Sequence, residues 1–124
     1  MSSACPCGLP ARYDACCGRL HAGAPAVTAE LLMRSRYAAF VIGDPAYLLA
    51  TWHSSTRPRR LRLDPDRRWT GLTVLGRTGG GLLDTEGTVR FRASYEGGAQ
   101  EEDSRFARES GAWAYVGEAA ARVV

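Results

Sequence analysis

Apolar residues from Glu30 to Ile42 recur at helical spacing and cover most of a helix circumference, interrupted only by Arg34, Ser35 and Arg36. Such a helix is substantially buried. Thr28 is placed to cap it, Glu30 suits the positive end of its dipole, and Gly43 stops it. The polar interruption carries information, because an unpaired guanidinium is costly to bury. Arg34 and Arg36 stand two positions apart and face different ways, so at most one points inward; the pattern leaves open which.

Asp44-Pro45 opens a second helix with an N-cap and a first-turn proline. Tyr47, Leu48, Leu49 and Trp52 follow at helical spacing, with Trp52 read as core, and His53-Ser-Ser-Thr-Arg-Pro58 breaks the run. His53 suits the negative end of the helix dipole; a general acid or base is its alternative role.

From Trp69 the period changes to two. Trp69 to Leu75 is one strand, with Gly79-Gly-Gly81 as the reversal. The next has Val89, Phe91, Ala93 and Tyr95 on one face and Thr88, Arg90, Arg92 and Ser94 on the other. Glu96-Gly-Gly98 leads into Gln100 to Arg108 with Phe106 inward, and Glu109-Ser-Gly111 into Ala112 to Val116, where Trp113 and Tyr115 share a face. Helices followed by an antiparallel meander predict an α+β domain whose sheet wraps its apolar face over the helices. A strongly curved sheet of this kind leaves a conical cavity at one end, a natural ligand site.

A length of 124 residues suits one domain with a sizeable core and a small appendage. No apolar run approaches a membrane span. The start Met-Ser-Ser-Ala has neither the basic nor the apolar region of a signal peptide, so a cytoplasmic chain with reduced thiols is expected. Every basic charge is an arginine. The dense stretch Arg57-Pro-Arg-Arg-Leu-Arg62 and Arg67-Arg68 reads as a solvated face or loop, since Asp64 and Asp66 adjoin it and no base-stacking aromatics are interleaved. An RNA or ribosome contact is the competing reading.

All four cysteines, Cys5, Cys7, Cys16 and Cys17, lie within the first eighteen residues. A Cys-x-Cys pair, an eight-residue gap and a Cys-Cys pair match a tetrahedral Zn²⁺ site. Iron or redox use of the thiols and a pair of disulfides are weaker readings, the disulfides because they would staple almost none of the remaining chain. Four thiolates leave the metal no open position, which disfavours hydrolytic chemistry. They and one divalent ion also bring the formal charge of +3 down to +1. Gly8 and Pro10 help the chain double back. Tyr13 is either the lid of this knuckle or a partner contact, and His21 reads as a surface imidazole because the four-sulfur set is already complete.

Cys-Pro-Cys-Gly with a later Tyr and Cys-Cys-Gly resembles the SEC-C zinc motif at the C-terminus of the secretion ATPase SecA. Leu-Met-Arg-Ser-Arg-Tyr37, Thr-Trp-His53, Trp-Thr-Gly-Leu72 and Ser-Arg-Phe106 resemble blocks of the YchJ-like bacterial family. Together these blocks span nearly the whole chain. The resemblance implies a SEC-C knuckle over residues 1–22, an α+β cone similar to nuclear transport factor 2 over 27–124, and the zinc-ligand role for Cys5, Cys7, Cys16 and Cys17. Leu9-Pro10 departs from the usual Ser-Gly, and arginines replace the usual lysines.

Two functions follow as expectations. One is a non-enzymatic adaptor whose knuckle docks on a protein partner, a secretion chaperone or the ribosome. The other is a small-ligand receptor or an isomerase, dehydratase or hydrolase using the cone, with Arg36, Tyr37, His53, Glu102 and Ser104 as candidate polar groups. The second rests on fold analogy alone.

Overall fold

The computed structural model describes residues 3–119; residues 1–2 and 120–124 of the two expected spans lie outside the described residues. A 3-10 turn at Tyr13–Ala15 leads into α1 (Cys17–His21), followed by α2 (Ala29–Ile42) and α3 (Pro45–Ala50). Four strands follow: β1 (Trp69–Gly79), β2 (Glu86–Tyr95), β3 (Gly98–Glu109) and β4 (Ala112–Glu118). They form one antiparallel sheet in chain order.

The helix ends obey local chemistry. Thr28 Oγ1 accepts the Leu31 N–H at 3.1 Å, Asp44 Oδ1 accepts that of Tyr47 at 3.1 Å, and Gly43 ends α2 at φ 78°. The second helix is shorter than its apolar spacing predicts. Thr51 Oγ1 turns back onto Tyr47 O at 2.8 Å, and the Tyr115 N–H then donates to Thr51 O at 2.9 Å while the His53 N–H donates to Tyr115 O at 2.8 Å. Trp52 therefore leaves the helix and joins the sheet edge as a parallel bridge to Tyr115.

β1 runs past the predicted end at Leu75 to Gly79, so the reversal falls after it. Ser110-Gly111 makes the two-residue turn between β3 and β4 with φ of 52° and 84°, the pair of positive values that matches strand twist. Register shifts at Trp69/Gly71 and Val74/Gly76 in β1, and opposite Arg105/Phe106, where β4 carries the extra residue Val116, bend the sheet into a curve, as an extra residue on one strand does.

α2 lies in the concavity. Ala29, Leu32 and Met33 pack with Val89, Phe106 and Trp113 to form the core. Residues 53–68 contain no helix or strand, and Leu61 and Leu63 of this strap face the cavity of the cone. Among the described residues no helix is long and apolar enough to cross a membrane.

Candidate metal centre and cone cavity

The knuckle is built by a chain that doubles back. Ala4 bridges Arg12, the Cys5 N–H donates to Ala11 O at 2.8 Å, and the Tyr13 N–H donates to Ser3 O at 2.9 Å. This brings Cys5 and Cys7 against Cys16 and Cys17 at the start of α1. All four Sγ atoms lie within 4.8 Å of one another, and no cysteine is in a disulfide. Cys7 and Cys16 Sγ are 3.7 Å apart. A tetrahedron with metal–sulfur bonds of about 2.3 Å has edges of about 3.8 Å, so the donor set fits a thiolate-bound metal ion. Cys7, Cys17 and Cys5 are 0%, 3% and 5% exposed, so the site is closed to solvent on most sides.

The thiols divide their charge unevenly. S–H donation from Cys17, with smaller help from other donors, holds Cys7 down to about 5 against the opposing effect of burial. The same bond pushes Cys17 well above the usual thiol range, and burial pushes Cys16 up to about 11. Cys7 forms a thiolate readily, whereas Cys16 and Cys17 need a divalent charge beside them.

Instead of hanging from the cone as an appendage, the knuckle is clasped to α2. Cys5, Cys7 and Cys17 pack on Ala38, with Leu9, Tyr13 and Cys16 around them, so Tyr13 serves as lid. Gly18 is required there, since a Cβ would stand 2.7 Å from Tyr13 O and 2.9 Å from its ring. His21, read from sequence as a surface imidazole, is half-buried with both nitrogens engaged. Its Nε2 lies 2.8 Å from Ser35 O, which only accepts, so in the neutral ring Nδ1 accepts from the Tyr13 hydroxyl at 2.6 Å. Arg34 completes the clasp, donating from Nη1 to Cys7 O at 2.8 Å and from Nε to Glu30 Oε2 at 3.0 Å. Arg77 also pairs with Glu30, from β1. Arg34→Met is expected to cost about 1–2 kcal/mol and to accelerate amide hydrogen exchange in residues 5–17 more than in β2 or β3. Unchanged exchange there would detach Arg34 from knuckle docking.

The opposite side of α2 faces the cavity, which has a volume of about 250 Å³. Met33, Arg36, Tyr37 and Phe40 form its helical stripe, the i, i+3, i+4, i+7 set of one face. Arg36 is therefore the arginine that points into the cone, and it is 6% exposed. Its Nη1 donates to Leu48 O and to Thr51 Oγ1, each at 2.7 Å. Its guanidinium carbon lies 4.4 Å from the Tyr115 ring centroid and 5.2 Å from that of Trp52. Burial lowers its pKa to about 10, so it remains charged at neutral pH.

Glu102 and Ser104 line the same cavity from β3. Glu102 Oε2 accepts from the Ser104 hydroxyl and, at 3.0 Å, from the Tyr115 hydroxyl. Burial and this carboxylate raise the Tyr115 phenol above its usual range, so it stays a donor. Arg36, Tyr37, Glu102 and Ser104 thus meet at one cavity, whereas His53 is not among its lining residues. His53 Nδ1 instead accepts the Ser55 N–H at 3.1 Å. Tyr115, Trp52 and Trp69 also line the cavity without having been singled out for it. The alternation of β4 places Tyr115 on the inner face, but its partners come from strand register and the Trp52 bridge. The arginine-rich stretch is not one continuous face: Arg57 folds back on Trp52 O at 2.6 Å, Arg67 stacks over Tyr95 at 4.2 Å, and Arg62 and Arg67 line the cavity.

The family description "YchJ, middle NTF2-like domain" matches residues 28–118. A UPF0225 protein of Streptomyces avermitilis is 62% identical over 115 residues, covering 92% of this chain and 82% of that one. A UPF0225 protein of Corynebacterium glutamicum is 50% identical over 119 residues, covering 93% and 95%. Among solved structures, a SEC-C motif containing protein from Rhodopseudomonas palustris superposes with a TM-score of 0.76 at 32% identity, covering 95% of this chain and 98% of that one. A second SEC-C motif containing protein, from Psychrobacter arcticus, gives 0.75 at 26% identity, covering 98% and 85%. A cysteine knuckle with the spacing to hold a metal, clasped to a cone that matches the YchJ middle domain, identifies this chain as a member of the UPF0225 family of bacterial proteins.

Proposed function

We propose that the four thiolates hold a structural Zn²⁺ ion and that the cone is a small-molecule binding domain. Thiolate softness and the near-tetrahedral sulfur spacing support zinc, and a full set of four ligands makes its contribution one of folding. The observation that carries the binding role is the cavity: its aromatic walls enclose a buried guanidinium and a carboxylate that do not form an ion pair with each other. A buried guanidinium left in this way is costly unless polar groups complete it. Ligand-detected NMR against a fragment library, followed by shift mapping, tests this. Hits that perturb Phe91, Glu102 and Tyr115 support the reading, and a library without a single cavity binder sinks it.

The adaptor reading ranks second and has its own observation. Gly8, Pro10, Arg12, Asp14 and Ala15 are exposed on the knuckle while its cysteines turn toward α2. A protein partner, a secretion chaperone or a ribosomal surface, would dock on this rim. Arg12→Glu should then weaken capture of purified SecA or ribosomes without changing the melting temperature; unaltered capture counts against it.

A further inference from the structure

We propose that the cone cavity recognises a small carboxylic acid that also carries a hydroxyl or amino donor on an apolar or aromatic body. This rests on the small-molecule reading above and names its ligand class.

The argument starts from the unused edge of Arg36. Nη1 is committed to Leu48 O and Thr51 Oγ1, and the group rests against both Tyr115 and Trp52, whose rings meet edge to face beside it. Nε and Nη2 have no hydrogen-bond partner among the described residues, and the group makes no ion pair with a carboxylate there. That edge is a planar two-donor fork, the shape that takes a carboxylate at two points. Its orientation is set before any ligand arrives, which lowers the ordering cost of binding.

Glu102 asks for the opposite chemistry. Ser104 and Tyr115 both donate to Oε2, while Oε1 has no donor among the described residues. An ionised carboxylate oxygen only accepts, so the ligand group facing Oε1 must donate. The rest of the wall, including Met33, Phe40, Trp69, Phe91 and Phe106, demands an apolar body. Farther out, Arg62 and Arg67 outnumber Asp64 among the lining side chains, a balance that draws an anion inward. The cavity, at about 250 Å³, lies just below the ~300 Å³ at which drug-sized ligand sites begin, so the ligand is small.

The test is NMR titration of the intact purified protein. The donor-bearing acids are 2-, 3- and 4-hydroxybenzoate, 3-phenyllactate and phenylalanine, a set that spans several separations between acid and donor. Their comparators are benzoate, 3-phenylpropionate, the methyl esters and toluene. At least one donor-bearing acid is expected to bind about tenfold tighter than its parent acid and than its own ester. Glu102→Gln should erase the advantage over the parent acid, and Arg36→Lys the advantage over the ester. Should Arg36→Lys fail to fold, Glu102→Gln decides alone. If toluene and the esters bind as tightly as every acid, this inference falls and the binding domain stands. If nothing in the set or the fragment library binds, both fall.

Discussion

Cys7→Ser is expected to purify with well under one zinc ion per chain and to melt about 10 °C or more below the parent protein, since loss of a structural metal removes several kcal/mol. Cys7 is the fully buried member of the cluster, touching Cys5, Cys17 and Ala38 while its carbonyl receives Arg34. A serine oxygen is a harder and shorter donor than thiolate, and it leaves the metal with an incomplete set. Both variant and parent should melt in a single transition, because α2 is shared: Ala38 belongs to the knuckle cluster, and Leu32 and Met33 to the cone core. An independent appendage would instead leave the main transition where it was. Metal quantification beside calorimetry checks this, and full zinc content with an unmoved transition would falsify the assignment. Chelator treatment of the parent protein should move it the same way.

Trp113→Ala is expected to cost about 3–5 kcal/mol by urea denaturation, the range for removing a large aromatic from a packed core. Trp113 is 4% exposed and packs with Leu32, Met33, Val89 and Phe106 or their immediate neighbours in the core cluster. Its ring also carries Arg108, whose guanidinium carbon is 4.4 Å from the centroid. From that perch Arg108 donates to Leu82 O at 2.7 Å and Asp84 O at 2.8 Å, tying down the β1–β2 loop. Trp113→Phe should cost far less, about 1.5 kcal/mol or below. The reason is specific: the indole Nε1–H is buried with no partner among the described residues, so phenylalanine removes an unsatisfied donor along with some volume. Equal losses in the two variants would show that the indole's missing ring area, and not its unpaired donor, governs the site.

How much was legible in the chain differs by element. Thr28, Gly43, Asp44 and Pro45 marked helix ends through chemistry confined to one turn, and the structure ends the helices at those residues. The end of α3 was not legible, because Trp52 has the spacing to continue it. What stops it is β4, far along the chain, which takes the backbone of Thr51 and His53 through Tyr115. The same distance effect hid the roles of the two arginines. Residue spacing says that Arg34 and Arg36 diverge, yet only the placement of the knuckle on one side and the sheet on the other decides that Arg34 clasps Cys7 and Arg36 enters the cavity.

The cysteine cluster shows the other limit. Four thiols so close in sequence come together when the chain doubles back once, so their clustering followed from loop closure over a short span. That the knuckle is fastened to α2 by Tyr13, His21, Ser35 and Arg34 did not follow, since those contacts join segments whose approach is decided by packing. The sequence by itself determined what short-range forces control: the caps, the alternation of the strands, the clustering of the four thiols and the α+β order. The tertiary structure alone decided which side chains meet in the expected cavity and how they are paired there. Arg36, Glu102, Ser104 and Tyr115 come from a helix and two strands, and hydrogen-bond register across a bent sheet, which no local pattern encodes, brings them to one place.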